Sequence, residues 1–593
     1  MRNMANAKNV SYDPSKEVSV LRGSGLFALL KPYRGLIVAL LILTVVANAL
    51  GLALPKIVAN AIDSYGRGTL DAEATVLVFL AISVLIFVLT YLQHAVQTYA
   101  SERVALDLRR QLAAKISEQD YAYIQKVTPA KLLTNLTSDI DAVKTFVSQA
   151  ISSIISSVFL IVGASALLLY TDWKLALPVL AVVPLIGVTF GVIFGRVRKL
   201  FAKVQEAVDW LNRVINESVF GAALVRLQNS QQFEFQKFLS ANARARDIGM
   251  GILRLFATMI PIVTLASNLA TLSILTLGGH FVIAGRMSLG DFSAFNGYLA
   301  ILIFPIFVIG FMSNAIAQAQ ASYARVAEVL LSDIAKVSGD LQAADGGDLS
   351  LKGVTVIFGD RSALKNVSMT MKAGTKTAII GPTAAGKTQL LYLLTGLLAP
   401  ASGTVEYAGR NVTDYDPVSL HRRIGFVFQD SVMFNLTLRE NIAFGNAVDD
   451  ADLAKAIAAA ELTDFIDALP EKLDTIVSER GMSLSGGQKQ RIMLARALAL
   501  NPSVLLLDDF TARVDTRTEK KILENVRRNY PGITLISVTQ KVVTVEDYDQ
   551  IALLMEGDLL ASGTHEELMR TSHEYVLIHD SQRSTNAYEV HAE

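Results

Sequence analysis

The 593-residue sequence predicts a multi-domain membrane protein. An all-α domain of six transmembrane helices is expected to occupy the first 330 residues, and an α/β domain of the P-loop type the rest. Three observations carry this. Six long stretches near the start contain no charged residue. Short strand-like and helix-like segments alternate after residue 330. One glycine-rich loop lies between a strand and a helix in the second part.

The composition sets the frame. Hydrophobic residues make up 52% of the chain and charged residues only 18%, whereas soluble domains carry about a quarter charged residues. That argues against a purely soluble protein, and the apolar content excludes a disordered one. The length suggests two or more domains, because single cores stop growing at roughly 250–300 residues. There is no Cys, which excludes disulfide scaffolds, Cys-ligated zinc and thiol catalysis. The 54 Lys+Arg balance the 54 Asp+Glu, so total charge points to no nucleic-acid partner.

The charge-free stretches are 35–55, 74–101, 145–171, 175–195, 255–285 and 292–324. About 20 apolar residues cross the ~30 Å hydrocarbon layer, so each suffices. Any one of them reads equally well as a buried soluble helix, but six in succession do not. The first begins inside the chain with no small-residue cleavage pattern after it, unlike a cleaved signal peptide. Residues 1–34 are expected to form an N-terminal segment with an elbow helix. The joins 102–144 and 196–254 are long, helical in composition and rich in Lys and Arg, and basic joins stay cytoplasmic. An integral protein of a bacterial plasma membrane is expected, with both termini and the second domain inside. Spans two to five are expected to continue tens of ångströms beyond the bilayer as rods.

Past a linker at 331–350, the segments VTVIF (354–358), KTAIIG (376–381), VLLLDD (504–509) and TLISVT (534–539) read as strands. Residues 388–398 and 487–500 read as helices between them. The domain is placed at 351–580, followed by a polar, loosely ordered tail at 581–593.

GPTAAGKT (381–388) fits G-x-x-x-x-G-K-[ST]. Its backbone N–H groups can wrap phosphates, Lys387 can reach the β- and γ-phosphates, and the Thr388 hydroxyl can ligate Mg²⁺. The candidate ATP-binding set is Gly381, Pro382, Thr383, Ala384, Ala385, Gly386, Lys387, Thr388 and Gln389. A plain glycine-rich turn is the alternative when the motif stands alone. Asp508, ending an apolar strand, suits the acidic residue on the Mg²⁺ side of such a site. LSGGQKQR (484–491) places two glycines at a helix N-terminus, whose positive dipole end favours an anion.

With that last motif after the phosphate loop and shortly before Asp508, the chain resembles the ATP-binding cassette (ABC) transporters. Six spans and one cassette look like an exporter-type half-transporter, similar to multidrug and lipid exporters. The resemblance implies ATP and Mg²⁺ as cofactors and a second half-transporter as partner. It implies that Gln429, within IGFVFQD (424–430), is the glutamine of the loop that meets Mg²⁺ and the membrane domain. It also implies that Phe358 stacks on adenine where the family usually has Tyr. Ser485, Gly486, Gly487 and Gln488 would act on the partner's ATP, and Asp515 would belong to the loop after the acidic strand. VSERG (477–481) resembles the short contact loop before the signature. Residues 119–127 and 219–227 resemble coupling helices.

The sequence departs from the family where ATP is cleaved. Asp509 stands where the family has a catalytic Glu, one methylene shorter and set back by roughly 1.5 Å. Gln540 stands where the family has the switch His. A neutral amide can donate to phosphate but cannot act as an imidazole. Ala-Arg-Val-Asp (512–515) replaces Ser-Ala-Leu-Asp. Asp509, Gln540 and Gln429 are therefore the candidate catalytic residues, and Thr388, Gln429 and Asp508 the candidate Mg²⁺ ligands. The pattern resembles the hydrolysis-poor subunit of heterodimeric exporters. A slow homodimer and a nucleotide-gated regulatory subunit are the alternatives.

The spans carry no charged residue to serve as an intramembrane counter-ion. Their polar groups include Gln93, Gln97, Ser153, Ser156, Asn268, Asn296, Asn314 and Gln318, with His94 and His280. A small hydrophobic or amphipathic substrate is expected. Residues 1–330 hold 28 Lys+Arg against 19 Asp+Glu and the remainder 26 against 35. The neutral total is thus a cancellation between a basic membrane part and an acidic one.

Overall fold

The computed structural model describes residues 26–333, 339–359, 361–478 and 481–590. Most of the expected N-terminal segment, residues 334–338 of the linker, Glu479 and Arg480 of the 477–481 loop, and the last three residues lie outside them. The chain forms two compact units.

The first unit comprises Met1–Glu118 and Val127–Asp333. Among the described residues it holds six helices long and apolar enough to cross a membrane: Ala28–Gly66, Ala72–Ser117, Pro129–Thr171, Trp173–Phe220, Gln231–Ile283 and Leu289–Leu330. Most of these helices extend beyond their charge-free stretch on at least one side. Ala72–Ser117 has 46 residues, or ~70 Å at 1.5 Å per residue. The apolar side chains of these helices point largely outward: Val76, Leu77, Leu80, Phe87 and Tyr91 are all exposed. Such a surface is at home only in hydrocarbon, where a helix also satisfies its own backbone groups.

Packing inside this unit relies on small residues and a few polar links. A Cβ on Gly290 would lie 2.1 Å from the Ala59 carbonyl oxygen, so only glycine lets the first and sixth helices approach there. The Gly290 N–H donates to Asp63 Oδ1 at 2.8 Å, and Lys56 pairs with Asp291 at 2.7 Å. Asn48 Nδ2 donates to Ser156 Oγ at 2.9 Å, joining the first and third helices. Phe190 meets Phe307 edge-on with centroids 4.5 Å apart. Buried Asp139 accepts two bonds from the Arg325 guanidinium, Nε at 3.1 Å. Between the two long helices Val182–Phe220 and Gln231–Ser273 lies the short helix Ala222–Leu227. It forms the later part of the expected coupling segment 219–227, and Phe220, Leu224 and Leu227 are exposed on it and beside it.

The second unit comprises Gln119–Lys126 with Ile334–Glu593. An antiparallel sheet has the order β2-β1-β4-β5, with β1 Leu349–Phe358, β2 Arg361–Met371, β3 Lys376–Ile380 in the other sheet, β4 Ser402–Tyr407 and β5 Arg410–Asn411. The six-stranded sheet continues with β6 Ile424–Val427, β7 Val504–Asp508, β8 Thr534–Thr539, β9 Gln550–Met555 and β10 Asp558–Gly563, in the order β10-β9-β3-β8-β7-β6. Its strands from β9 to β6 are parallel and only β10 is antiparallel. Parallel strands covered on both faces read as unbroken apolar runs, and β7 shows this. Val504 and Leu506 join the core containing Leu390 and Leu394, while Leu505 and Leu507 join the one containing Ile492 and Leu494.

Two expectations about element ends need adjustment. The helix after the glycine-rich loop is Lys387–Leu394, shorter than 388–398, because Gly396 adopts a left-handed φ of 73° that closes it. Residues 581–590 of the expected tail continue the helix His573–Val590, near whose start Tyr575 is fully buried and bonded to His565 at 2.8 Å.

Candidate functional site

The glycine-rich loop joins β3 to the helix Lys387–Leu394. Gly381 has φ 153° and a Cβ there would sit 2.0 Å from the Leu554 carbonyl oxygen. At Gly386, with φ 96°, a Cβ would meet the Ala363 carbonyl oxygen at 2.4 Å. Both positions therefore require glycine. Between them Pro382, Thr383 and Ala384 are exposed, whereas Ala385, Gly386 and Lys387 are buried. Lys387 Nζ donates to the carbonyl oxygens of Gly381 at 2.8 Å and Pro382 at 2.7 Å. Burial lowers its pKa, opposed by the charges of Asp509 and Asp508. A desolvated ammonium ringed by its own loop is placed to hold a polyphosphate.

Asp508 ends β7 and is 2% exposed. Burial raises its pKa, while a hydrogen bond from Thr388 lowers it. A hydroxyl and a carboxylate in contact are the oxygen ligands that Mg²⁺ prefers, so these residues fit the ion expected with ATP. Asp509 follows in the left-handed region, φ 49° and ψ 36°, with its N–H donating to the Val538 carbonyl at 3.0 Å. Asp tolerates that conformation better than most side chains. Gln540, just past β8, places Nε2 within 3.5 Å of Thr383 Oγ1. Both residues that depart from the family pattern thus lie beside the phosphate loop, Asp509 near the Lys387 ammonium and Gln540 near Thr383.

Phe358 closes β1 and is 45% exposed; it is not part of the strand core, which leaves its face open for stacking. Gln429 is exposed, and its carbonyl accepts from Gln490 Nε2 at 3.2 Å. Next to it Phe428 and Phe426 stack edge-on at 4.2 Å, and Phe426 meets Tyr392 at 5.8 Å. Tyr121, on the helix Tyr121–Val127, closes this cluster against Tyr392 at 5.3 Å. The expected coupling segment 119–127 is therefore one aromatic step from the glutamine loop.

Ser485 caps the helix Gly486–Leu498. Its Oγ accepts from Gln488 N at 3.3 Å, and Gln488 Oε1 accepts from Ser485 N at 2.8 Å. Arg513 lies over this turn: a Cβ on Gly487 would be 3.0 Å from its carbonyl oxygen, and one on Gly486 3.3 Å from its side-chain Cδ. Asp515 accepts from Thr518 N at 2.9 Å as the N-cap of the helix Thr516–Asn529, which lowers its pKa.

Sequence reasoning missed the residues that hold the glutamine loop. Besides Gln490, Arg496 donates to the Asn441 carbonyl at 2.7 Å and the Val432 carbonyl at 3.2 Å, and burial lowers its pKa to about 10. A signal existed. Gln490 shares the helical spacing of Met493, Leu494 and Ala497, so a helical stripe with an amide in it marks a buried polar anchor.

Residues 37–306 match a family model described as the ABC transporter transmembrane region, and residues 364–512 match one described as ABC transporter. The chain is 31% identical over 564 residues to YfiB of Bacillus subtilis (strain 168), an uncharacterized ABC transporter ATP-binding protein, covering 93% of this chain and 97% of that one. It is 27% identical over 566 residues to the ATP-dependent lipid A-core flippase of Syntrophus aciditrophicus (strain SB), covering 94% of each. In fold it is similar to a bacterial Atm1-family ABC exporter with ATP bound, with TM-score 0.76 and 24% identity over 93% of this chain and 98% of that one.

Proposed function

The chain belongs to the ABC transporter family, a six-span membrane domain fused to one ATP-binding domain, and from that premise we propose that it is the hydrolysis-poor half of a heterodimeric exporter. Its cargo would be a hydrophobic or amphipathic compound, a drug or a lipid. Half-transporters of this kind work as dimers, so a second chain completes the machine. The observation that supports the reading is the pairing of an intact phosphate loop with Asp509 and Gln540 beside it.

In this reading Gly381–Thr388 hold ATP, with Phe358 against the adenine and Lys387 on the phosphates. Thr388, Asp508 and Gln429 would hold Mg²⁺, which supplies charge neutralisation at the phosphates. Asp509 is too short to orient water well, and Gln540 holds a phosphate oxygen without titrating. Ser485, Gly486, Gly487 and Gln488 complete the partner's site, where hydrolysis runs at full rate. ATP draws the two cassettes together. The Tyr121–Val127 helix passes that movement from the glutamine loop to the membrane helices, while ATP in this chain's own site outlasts several turnovers. The basic joins support a cytoplasmic position for the cassette and both termini.

The test is the ATPase rate of the purified chain alone and mixed with a candidate partner half-transporter. Strong stimulation by the partner is expected. Equal, high activity without it overturns the reading, as does loss of all turnover in the complex on Asp509→Ala.

A further inference from the structure

Away from the nucleotide residues, three side chains from three elements converge. Glu546 follows the turn Val542–Thr544 after β8, His565 opens the helix His565–Thr571, and His579 lies within the helix His573–Val590. One ligand atom from each lies within 4.8 Å of the other two. His579 is buried and its Nε2 is 3.2 Å from Glu546 Oε1, close to the ~3.3 Å between two ligands on a tetrahedral zinc ion.

The surroundings are those of metal ligands. His579 Nδ1 meets the Asp580 carboxylate at 3.1 Å and His565 Nδ1 meets the Tyr575 hydroxyl at 2.8 Å. Partners of this kind orient imidazoles bound to a metal. Two imidazoles and one carboxylate select a first-row transition ion over Mg²⁺ or Ca²⁺. We propose that Glu546, His565 and His579 form a Zn²⁺ site, with water as the fourth ligand.

The site would brace the C-terminal helices against the nucleotide end of the cassette. Three residues past His579, Gln582 Nε2 donates to the Gln540 carbonyl at 2.7 Å, and its Oε1 accepts from Val542 N at 2.8 Å. An ion joining Glu546 to His579 therefore clamps both ends of the segment that carries Gln540.

The test uses the full chain, stripped of metal by chelator and free of nucleotide, titrated with Co²⁺ and followed by visible absorption. One equivalent with an intense tetrahedral band, displaced by Zn²⁺, is expected. Asp580→Asn should weaken binding about tenfold, and His565→Ala and Glu546→Gln should abolish the band while nucleotide binding persists. Zn²⁺ should also slow amide hydrogen exchange over 540–546. Absence of a stoichiometric tetrahedral band in the unaltered chain overturns the proposal whether or not the variants fold. So does a band that survives His565→Ala, or exchange over 540–546 that Zn²⁺ leaves unchanged.

Discussion

The two ends of the nucleotide site are built under different constraints. At the phosphate-gripping end, Gly381 and Gly386 are enforced by backbone oxygens 2.0 and 2.4 Å from any Cβ, and Lys387 is bonded on two sides. On the cleavage side, Asp509 is held by a backbone bond, and Gln540 reaches Thr383 only at 3.5 Å. Steric closure leaves no freedom at the first end. The second rests on side-chain length and protonation, which single substitutions change without disturbing the fold. On the proposed reading, binding and cleavage of ATP would therefore be separable in this chain.

Substitutions can break or sharpen that contrast. The largest effect belongs to the gripping end. Lys387→Ala removes charged hydrogen bonds worth about 3 kcal/mol, so nucleotide affinity should fall about a hundredfold in equilibrium binding. Unchanged affinity would remove Lys387 from the phosphates. On the cleavage side, Asp509→Glu restores the missing methylene and should raise single-site turnover about tenfold, within the cost expected of misplacement, with little change in KM. A flat kcat would show that carboxylate reach is not what limits the site.

A smaller effect concerns a buried acid. Glu519, 5% exposed, has its pKa raised to about 7 by burial, partly offset by Lys541. The unfolded chain releases this proton near 4.5, so between those values the folded chain binds more protons. Its stability should fall as pH rises from about 4.5 through 7, by on the order of 1–3 kcal/mol. Glu519→Gln should flatten that part of the profile in thermal unfolding. The smallest is Tyr121→Ala. Losing one edge-on ring contact costs about 0.5–1.5 kcal/mol, and should lower transport per ATP hydrolysed while leaving nucleotide affinity intact.

Much of this was legible before any coordinates. The six spans showed as missing charge, because hydrocarbon penalises ions wherever they fall in a span. The phosphate loop showed as spacing, because it is local: Gly381 to Thr388 are contiguous. What stayed hidden was held by contacts distant in sequence. Gln490 anchors Gln429 from 61 residues away, and Arg496 holds Val432, just past the glutamine loop, from 64 residues away. The helix His573–Val590 was not foreseen either: its polar surface hid the buried Tyr575 and His579, which anchor it from inside the domain.

By itself, then, the sequence determined the membrane character, the domain order and the glycine-rich phosphate-loop motif. These follow from composition and from short motifs whose geometry the backbone imposes locally. Only the tertiary structure decided what stands beside Gln540, that Phe358 lies open at a strand end, and that Glu546, His565 and His579 meet. Those facts depend on which strands become neighbours in the sheet and which helices return to cover it, and no local spacing encodes them.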